Sequence, residues 1–243
     1  MVEELGKIEK PDADQFKGKK KLYLVPLLYS WQDAPPDYVE KLNLYWQQVR
    51  EHIANLESRI GSLKLIYHES VTAPGEEGLQ ILERLNPSSY QLVREKCLMG
   101  AQLEVIEDRE LVEETMDCER HLIMGFLSDK VARMVSEFFS EASRKRWEHI
   151  AQRIKDTLKD EDVAMLVIRE GHRVQFPPDV EVFIVAPPTL NEIHRWLRER
   201  QERLEREEET EAQAQEQAPA QPPRTADDLR AELEKMEPET DSE

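Results

Sequence analysis

The sequence has few cysteines and no long apolar segment, and both absences exclude classes of protein. The 243 residues include two cysteines, Cys97 and Cys118, too few for the disulfide framework of a small secreted domain. No run approaches the roughly 20 apolar residues needed to span a bilayer. The N-terminus also lacks the apolar core of a secretory signal. The sequence therefore predicts a cytoplasmic protein with no membrane partner.

Basic residues are also in short supply. There are 33 of them against 51 acidic residues, which gives a formal net charge of -18. Because binding to phosphate needs a positive face, nucleic acid is disfavoured as a partner. More than half of the excess charge lies after residue 198, where 16 acidic residues face 6 basic ones. We therefore predict a flexible segment over 1–18, one domain over 19–206 and a disordered acidic tail over 207–243.

The tail contains one segment with a helical pattern. Leu229, Leu233 and Met236 share a face of a predicted short helix over 225–236. An amphipathic helix of this kind can dock into a groove of a protein partner. Twelve residues are marginal for a helix in isolation, so a transient helix without a partner is the alternative.

Five apolar runs alternate with helical patterns in the predicted domain. Unbroken Val, Ile and Leu runs are typical of parallel strands that are covered on both faces. The runs are 21–29, 63–67, 102–106, 163–168 and 180–186. Pro26 interrupts the first run, and because proline lacks an N–H donor it predicts a sheet edge or a bulge there.

Apolar residues at helical spacing predict the connecting helices. A long helix begins after Pro35-Pro36 and ends before Gly61, and further helical patterns cover 76–99, 110–125, 128–159 and 189–206. The predicted fold class is α/β: a mostly parallel central sheet of about five strands, with helices on both faces and a helical insert between the middle strands.

The sequence has no GxSxG, HExxH or GxGxxG motif, so candidate site residues come from the sheet geometry. In open parallel sheets, ligands bind beyond the carboxyl ends of the strands. His68 and Glu69, Asp108 and Arg109, and His172 follow three of the predicted strands. His68, Glu69 and His172 are a possible ligand set for a divalent metal. Ordinary loop roles are the alternative, such as Asp108 capping the next helix.

Four short patches of the sequence resemble the TraB/ChaN-like family. They are Arg144–Ile154, Glu170–His172, Gly100-Ala101 with Val105–Arg109, and Glu69. The resemblance implies an α/β fold over roughly 21–188 and a site that includes Glu69, Asp108, Arg109, Arg146 and His172. Members of this group include proposed metal-dependent peptidases and haem-binding proteins. The family's Gly-x-x-His after the first strand is replaced here by Pro26–Ser30.

Three functions are consistent with these observations. The missing histidine favours a noncatalytic binding or regulatory domain with a degenerate TraB/ChaN-like site. A metal-assisted hydrolase would use His68, Glu69 and His172 as ligands or base, with Arg109 or Arg146 stabilising developing negative charge. A scaffold would dock a partner through its C-terminal tail. The sequence leaves the substrate, any metal and the oligomeric state open.

Overall fold

The computed structural model describes residues 18–217. They form a parallel sheet of five strands in the order β3-β2-β4-β1-β5. The strands are β1 (Lys20–Pro26), β2 (Leu65–His68), β3 (Gln102–Leu103), β4 (Val163–Ile168) and β5 (Val180–Ile184). The helices are α1 (Pro36–Glu57), α2 (Gly75–Leu85), α3 (Pro87–Leu98), α4 (Arg109–Met124), α5 (Asp129–Thr157) and α6 (Pro188–Gln217). The predicted α/β class is confirmed.

The predicted apolar runs contain the strands, and their burial explains why they are apolar. All six residues of the central strand β4 are buried, since it has a neighbour on each side and packing on both faces. The edge predicted from Pro26 is wrong. β1 pairs with β4 and with β5 in unbroken register, and Pro26 is its last residue. Register with β5 ends at Leu24, so the missing N–H of Pro26 removes no ladder hydrogen bond.

Alternate side chains of each strand point to opposite faces of the sheet. On one face, Leu22, Leu166 and Ile168 pack with Ile150 and Ile154 of α5 in a single buried cluster. On the other face, His68 of β2 contacts Ser89 of α3. Helices therefore cover both faces, and α5 covers the face to which Leu22 and Leu166 point.

The single helical pattern predicted over 76–99 is two helices. α2 ends before Asn86, and α3 begins at Pro87. Proline is well tolerated at the first position of a helix, because the backbone N–H that it lacks would have no hydrogen-bond partner within the helix. The Asn86 side chain accepts a hydrogen bond from the Ser89 N–H at 3.0 Å and donates one to the Leu28 carbonyl at 2.8 Å. Asn86 therefore caps α3 and ties this break to the loop after β1.

The last helix, α6, is longer than the predicted one. It continues to Gln217, past the domain boundary predicted at residue 206. Two compact units are distinguished, one through His194 and the other from Arg195 onward, so the boundary between them lies within α6. Most of the predicted flexible N-terminus and the predicted helix over 225–236 lie outside the described residues. Among residues 18–217, no helix is long and apolar enough to cross a bilayer.

Candidate functional site

The strand order changes direction between β2 and β4. These strands are neighbours, but the chain leaving β2 continues to β3 on one side, whereas the chain leaving β4 continues to β5 on the other. Such a switch point leaves open space above the carboxyl ends of the two strands and is where open α/β sheets bind ligands. The residues just after β2 and β4 therefore position the candidate site.

Glu69 directly follows the last residue of β2, at the carboxyl end of the strand. The alternation of the strand places Tyr67 towards α5, where its hydroxyl contacts Thr157 at 2.7 Å, and Glu69 continues on that side. Glu69 is fully buried. Its Oε2 accepts a hydrogen bond from the Arg169 backbone N–H at 2.6 Å, and its Oε1 accepts one from Arg169 Nε.

Arg146 of α5 pairs with a second buried carboxylate. Its Nε and Nη2 donate to the two carboxylate oxygens of Glu107 at 2.9 and 2.5 Å, which is a bidentate arrangement. Nη2 also lies 3.4 Å from Glu69 Oε1, and Nη1 donates to Thr115 Oγ1 at 3.4 Å. The side chains of Arg146 and Glu107 are 3% and 0% exposed. The buried pair therefore joins α5 to the segment after β3, and Arg146 reaches across to β2.

Arg169, the first residue after β4, extends the network to solvent. Its Nη1 donates to Glu119 Oε1 of α4 at 2.7 Å, and both side chains are about one-third exposed. Burial lowers the pKa of Arg169, but the charges of Glu69 and Glu119 outweigh that effect and raise it above its ordinary value. We call the five side chains Glu69, Glu107, Glu119, Arg146 and Arg169 the carboxylate–arginine cluster.

Two further residues border the cluster. Ser70 has a φ of +67°, a left-handed conformation that is strained for a residue with a side chain. This conformation accompanies a hydrogen bond from the Ser70 backbone N–H to Glu107 Oε1 at 3.1 Å. Burial and the charge of Glu69 raise the pKa of Tyr29, in the loop after β1, to about 12, so this phenol is neutral at physiological pH.

His68 does not join the cluster, although it precedes Glu69 directly. Its ring points to the opposite face of the sheet, where Nε2 contacts Ser89 Oγ at 3.0 Å and Nδ1 lies 2.6 Å from the Glu69 carbonyl oxygen. Because a carbonyl only accepts, Nδ1 carries the hydrogen. Burial lowers the pKa of His68 to about 4, and the bond to the Glu69 carbonyl opposes that shift. The ring is therefore neutral at pH 7.

The contacts of His68 and Glu69 bear on the predicted metal ligand set. Both nitrogens of His68 are in contact with protein groups, and both oxygens of Glu69 accept from Arg169. Among the residues that the structure describes, no group of three or more His, Cys, Asp and Glu side chains is arranged to hold a metal ion. The residues at this edge do not fit a divalent metal, because the carboxylates here are bound by guanidinium groups.

The other predicted site residues, Asp108, Arg109 and His172, lie outside the carboxylate–arginine cluster. The Asp108 carboxylate accepts a hydrogen bond from the Leu111 N–H at 3.1 Å, which is the capping role considered as the alternative. Arg109 begins α4 and is exposed, and no bond joins it to the cluster within the described part of the chain.

His172 is half-buried, packs edge-on against Phe176 with ring centres 5.7 Å apart, and has a buried Nδ1 without a hydrogen-bond partner among the described residues. Burial lowers the pKa of His172, and the charge of Glu69 acts in the opposite direction.

A groove of about 1440 Å³ opens beside the cluster. It lies between α4, α5 and the connection from β4 to β5, and both Arg146 and Arg169 line it. Its apolar wall comes from the side chains of Trp147, Phe176, Pro177 and Pro178. Charged and apolar lining together are typical of a site that binds a small organic molecule.

The predicted site did not include Glu107, Arg169 or Glu119. Arg169 directly follows Ile168, the last residue of β4, and Glu107 follows the buried Ile106 in the segment after β3, so a charged residue after a buried one was the available signal. Glu119 carried no such signal, because its role depends on where α4 packs.

Comparison with known proteins gives no match. No family model, no curated protein and no solved structure matches the chain. The resemblance to the TraB/ChaN-like family therefore stays a prediction, and a function has to be inferred from the geometry of the site.

Proposed function

We propose that the chain is a noncatalytic binding domain, with a degenerate TraB/ChaN-like site, that holds a small organic ligand in the groove beside the carboxylate–arginine cluster. The observation that supports this most directly is the pairing of Glu69 and Glu107 with Arg169 and Arg146. A general base needs a carboxylate that is free to take up a proton. All four oxygens of Glu69 and Glu107 already accept hydrogen bonds from arginine groups, which opposes that role.

The groove supplies the remaining support. Its volume of about 1440 Å³ exceeds the roughly 300–1,000 Å³ that is usual for ligand pockets, so an open cleft is a better description than an enclosed chamber. The cluster fixes the positions of Arg146 and Arg169 through several hydrogen bonds each, which gives the groove a rigid charged floor. A rigid floor reduces the ordering cost of binding.

Trp147 provides a direct test. The protein contains four tryptophans, and Trp147 lines the groove whereas Trp46 is buried in α1. Protein labelled with 5-fluorotryptophan would be titrated with 4-phenylbutyrate, 4-phenylbutyramide and 4-phenylbutylamine and followed by ¹⁹F NMR, with Trp147 assigned from W147F. We expect at least one compound to shift the Trp147 resonance saturably while that of Trp46 stays in place.

A pair of matched variants makes the test specific. Gln152 lines the groove, is exposed and bonds to Asp156 one turn away, so Gln152→Phe should block binding. Gln47 on α1 is exposed in the same way and bonds to Glu51, so Gln47→Phe should leave binding unchanged. No shift of Trp147 with any of the three compounds at millimolar concentration, or equal effects of the two variants, would contradict the proposal.

A further inference from the structure

The carboxylate–arginine cluster contains one more carboxylate than guanidinium. Glu69, Glu107 and Glu119 share Arg146 and Arg169. Arg146 is held by the two carboxylates that are 0% exposed, whereas Glu119 is 34% exposed and pairs with Arg169. Of the three carboxylates, Glu119 is therefore the one that can separate from its arginine and move into water.

We propose that Glu119 occupies the ligand's own position, and that the natural ligand is an organic carboxylate that displaces Glu119 from Arg169. This inference rests on the proposed function, because it names the ligand class of the same groove. Arg169 and Glu119 both line the groove, so the ion pair between them faces the space that a ligand would enter.

The exchange preserves the pairing of Arg169. A guanidinium presents planar donors that match a carboxylate, and the ligand's carboxylate replaces that of Glu119 one for one. Glu119, already one-third exposed, returns to water on the surface of α4. By contrast, displacing Glu69 or Glu107 would leave a fully buried carboxylate without its guanidinium partner, which is strongly unfavourable.

The rest of the ligand is apolar. Trp147 and Phe176 are both partly buried against the core and both line the groove. Aromatic side chains contribute large contact areas for an apolar group. A carboxylate bound to Arg169 would therefore carry an aromatic or aliphatic body along this wall.

An internal competitor lowers the apparent affinity by the fraction of time that it occupies the site. Removing the charge of Glu119 should therefore tighten binding of a carboxylate and leave a neutral analogue unaffected. The substitution Glu119→Gln keeps the shape of the side chain, and its partly exposed position makes the variant compatible with folding. Since a partly exposed ion pair contributes up to about 1 kcal/mol, we expect roughly three- to fivefold tighter binding of 4-phenylbutyrate.

The control variant is Glu95→Gln. Glu95 also pairs with an arginine, Arg50, at 3.0 Å and is 37% exposed, close to the exposure of Glu119, but it does not line the groove. Dissociation constants would be measured for both variants from the ¹⁹F shift of Trp147, with the Trp46 resonance as a check on the fold. We expect E95Q to change the dissociation constant of 4-phenylbutyrate by less than twofold, and Glu119→Ala to act in the same direction as E119Q.

The outcomes separate this inference from the proposed function. Tighter binding of 4-phenylbutyrate to E119Q, with the amide changed by less than twofold, supports both. If the amide or the amine binds at Trp147 while E119Q leaves 4-phenylbutyrate unchanged, the carboxylate inference is overturned and the binding function stands. If none of the three compounds shifts Trp147 in the wild type or in E119Q, both are overturned.

Discussion

Replacing Arg146 by methionine tests the central feature of the site. Methionine has a similar length and no charge, so Arg146→Met leaves Glu107 buried without its bidentate partner. Removing one member of a buried ion pair typically costs about 3–5 kcal/mol. The 3% and 0% exposure of the two side chains places this pair in the buried class, so we expect a loss of about that size in the free energy of unfolding.

Urea unfolding at pH 7, followed by circular dichroism, measures this loss. Arg144→Met is the matched control, because Arg144 lies on the same helix and pairs with Glu148 at 2.7 and 2.9 Å, but both side chains are about 60% exposed. Exposed pairs contribute about 0–1 kcal/mol. Equal losses for the two variants would refute the reasoning that burial makes the Arg146 pair important.

The double variant Arg146→Met, Glu107→Met separates two explanations of the loss. If the cost arises from the stranded charge of Glu107, replacing both partners by apolar side chains should recover much of it. If it arises instead from lost packing of the arginine stem, the double variant should be no more stable than Arg146→Met. The same unfolding assay distinguishes these results.

Two further predictions concern stability. Because burial holds the pKa of His68 near 4 against about 6.5 in the unfolded chain, the unfolded state binds more protons between these values, and stability should fall by on the order of 3 kcal/mol as the pH drops through this window. Stability curves of His68→Gln should lack that slope, and an unchanged slope would assign it to other groups. Asp108→Ala removes the cap of α4 and should cost about 1 kcal/mol, whereas Arg109→Ala at the exposed first position should cost less than about 0.5 kcal/mol. Equal losses in urea unfolding would contradict the capping role.

Much of the fold could be predicted from the sequence because burial dictates composition. The run Val163–Ile168 contains only apolar residues, and every one is buried in the central strand. Strand order was not readable, because it depends on contacts between segments far apart in the chain, such as Lys21 with Val163. The edge predicted from Pro26 was wrong because a proline shows only that the strand lacks one N–H donor. It does not show whether the neighbouring strand, here β5, still extends beside that position.

The candidate site was predicted only in part. Glu69 and Arg146 are in contact, as a site at the strand ends requires. His68 was misplaced, although the two-residue period of a strand already puts neighbours such as His68 and Glu69 on opposite faces. Arg146 lies between Ala142 and Ile150 at spacings of four residues, and both of these are buried. That spacing distinguishes it from Arg144, which lies on the exposed surface of the same helix.

The hydrogen bonds of the cluster also bear on what chemistry this edge of the sheet supports. Glu69 and Glu107 are buried, and each of their carboxylate oxygens already accepts a hydrogen bond from Arg169 or Arg146. A general base has to offer an oxygen within hydrogen-bond reach of the substrate proton. Removing either arginine would free a carboxylate oxygen but leave a buried carboxylate without its partner, at a cost comparable to much of the stability of a domain. A chain that retains both arginines therefore keeps a paired surface, which supports the proposed binding function.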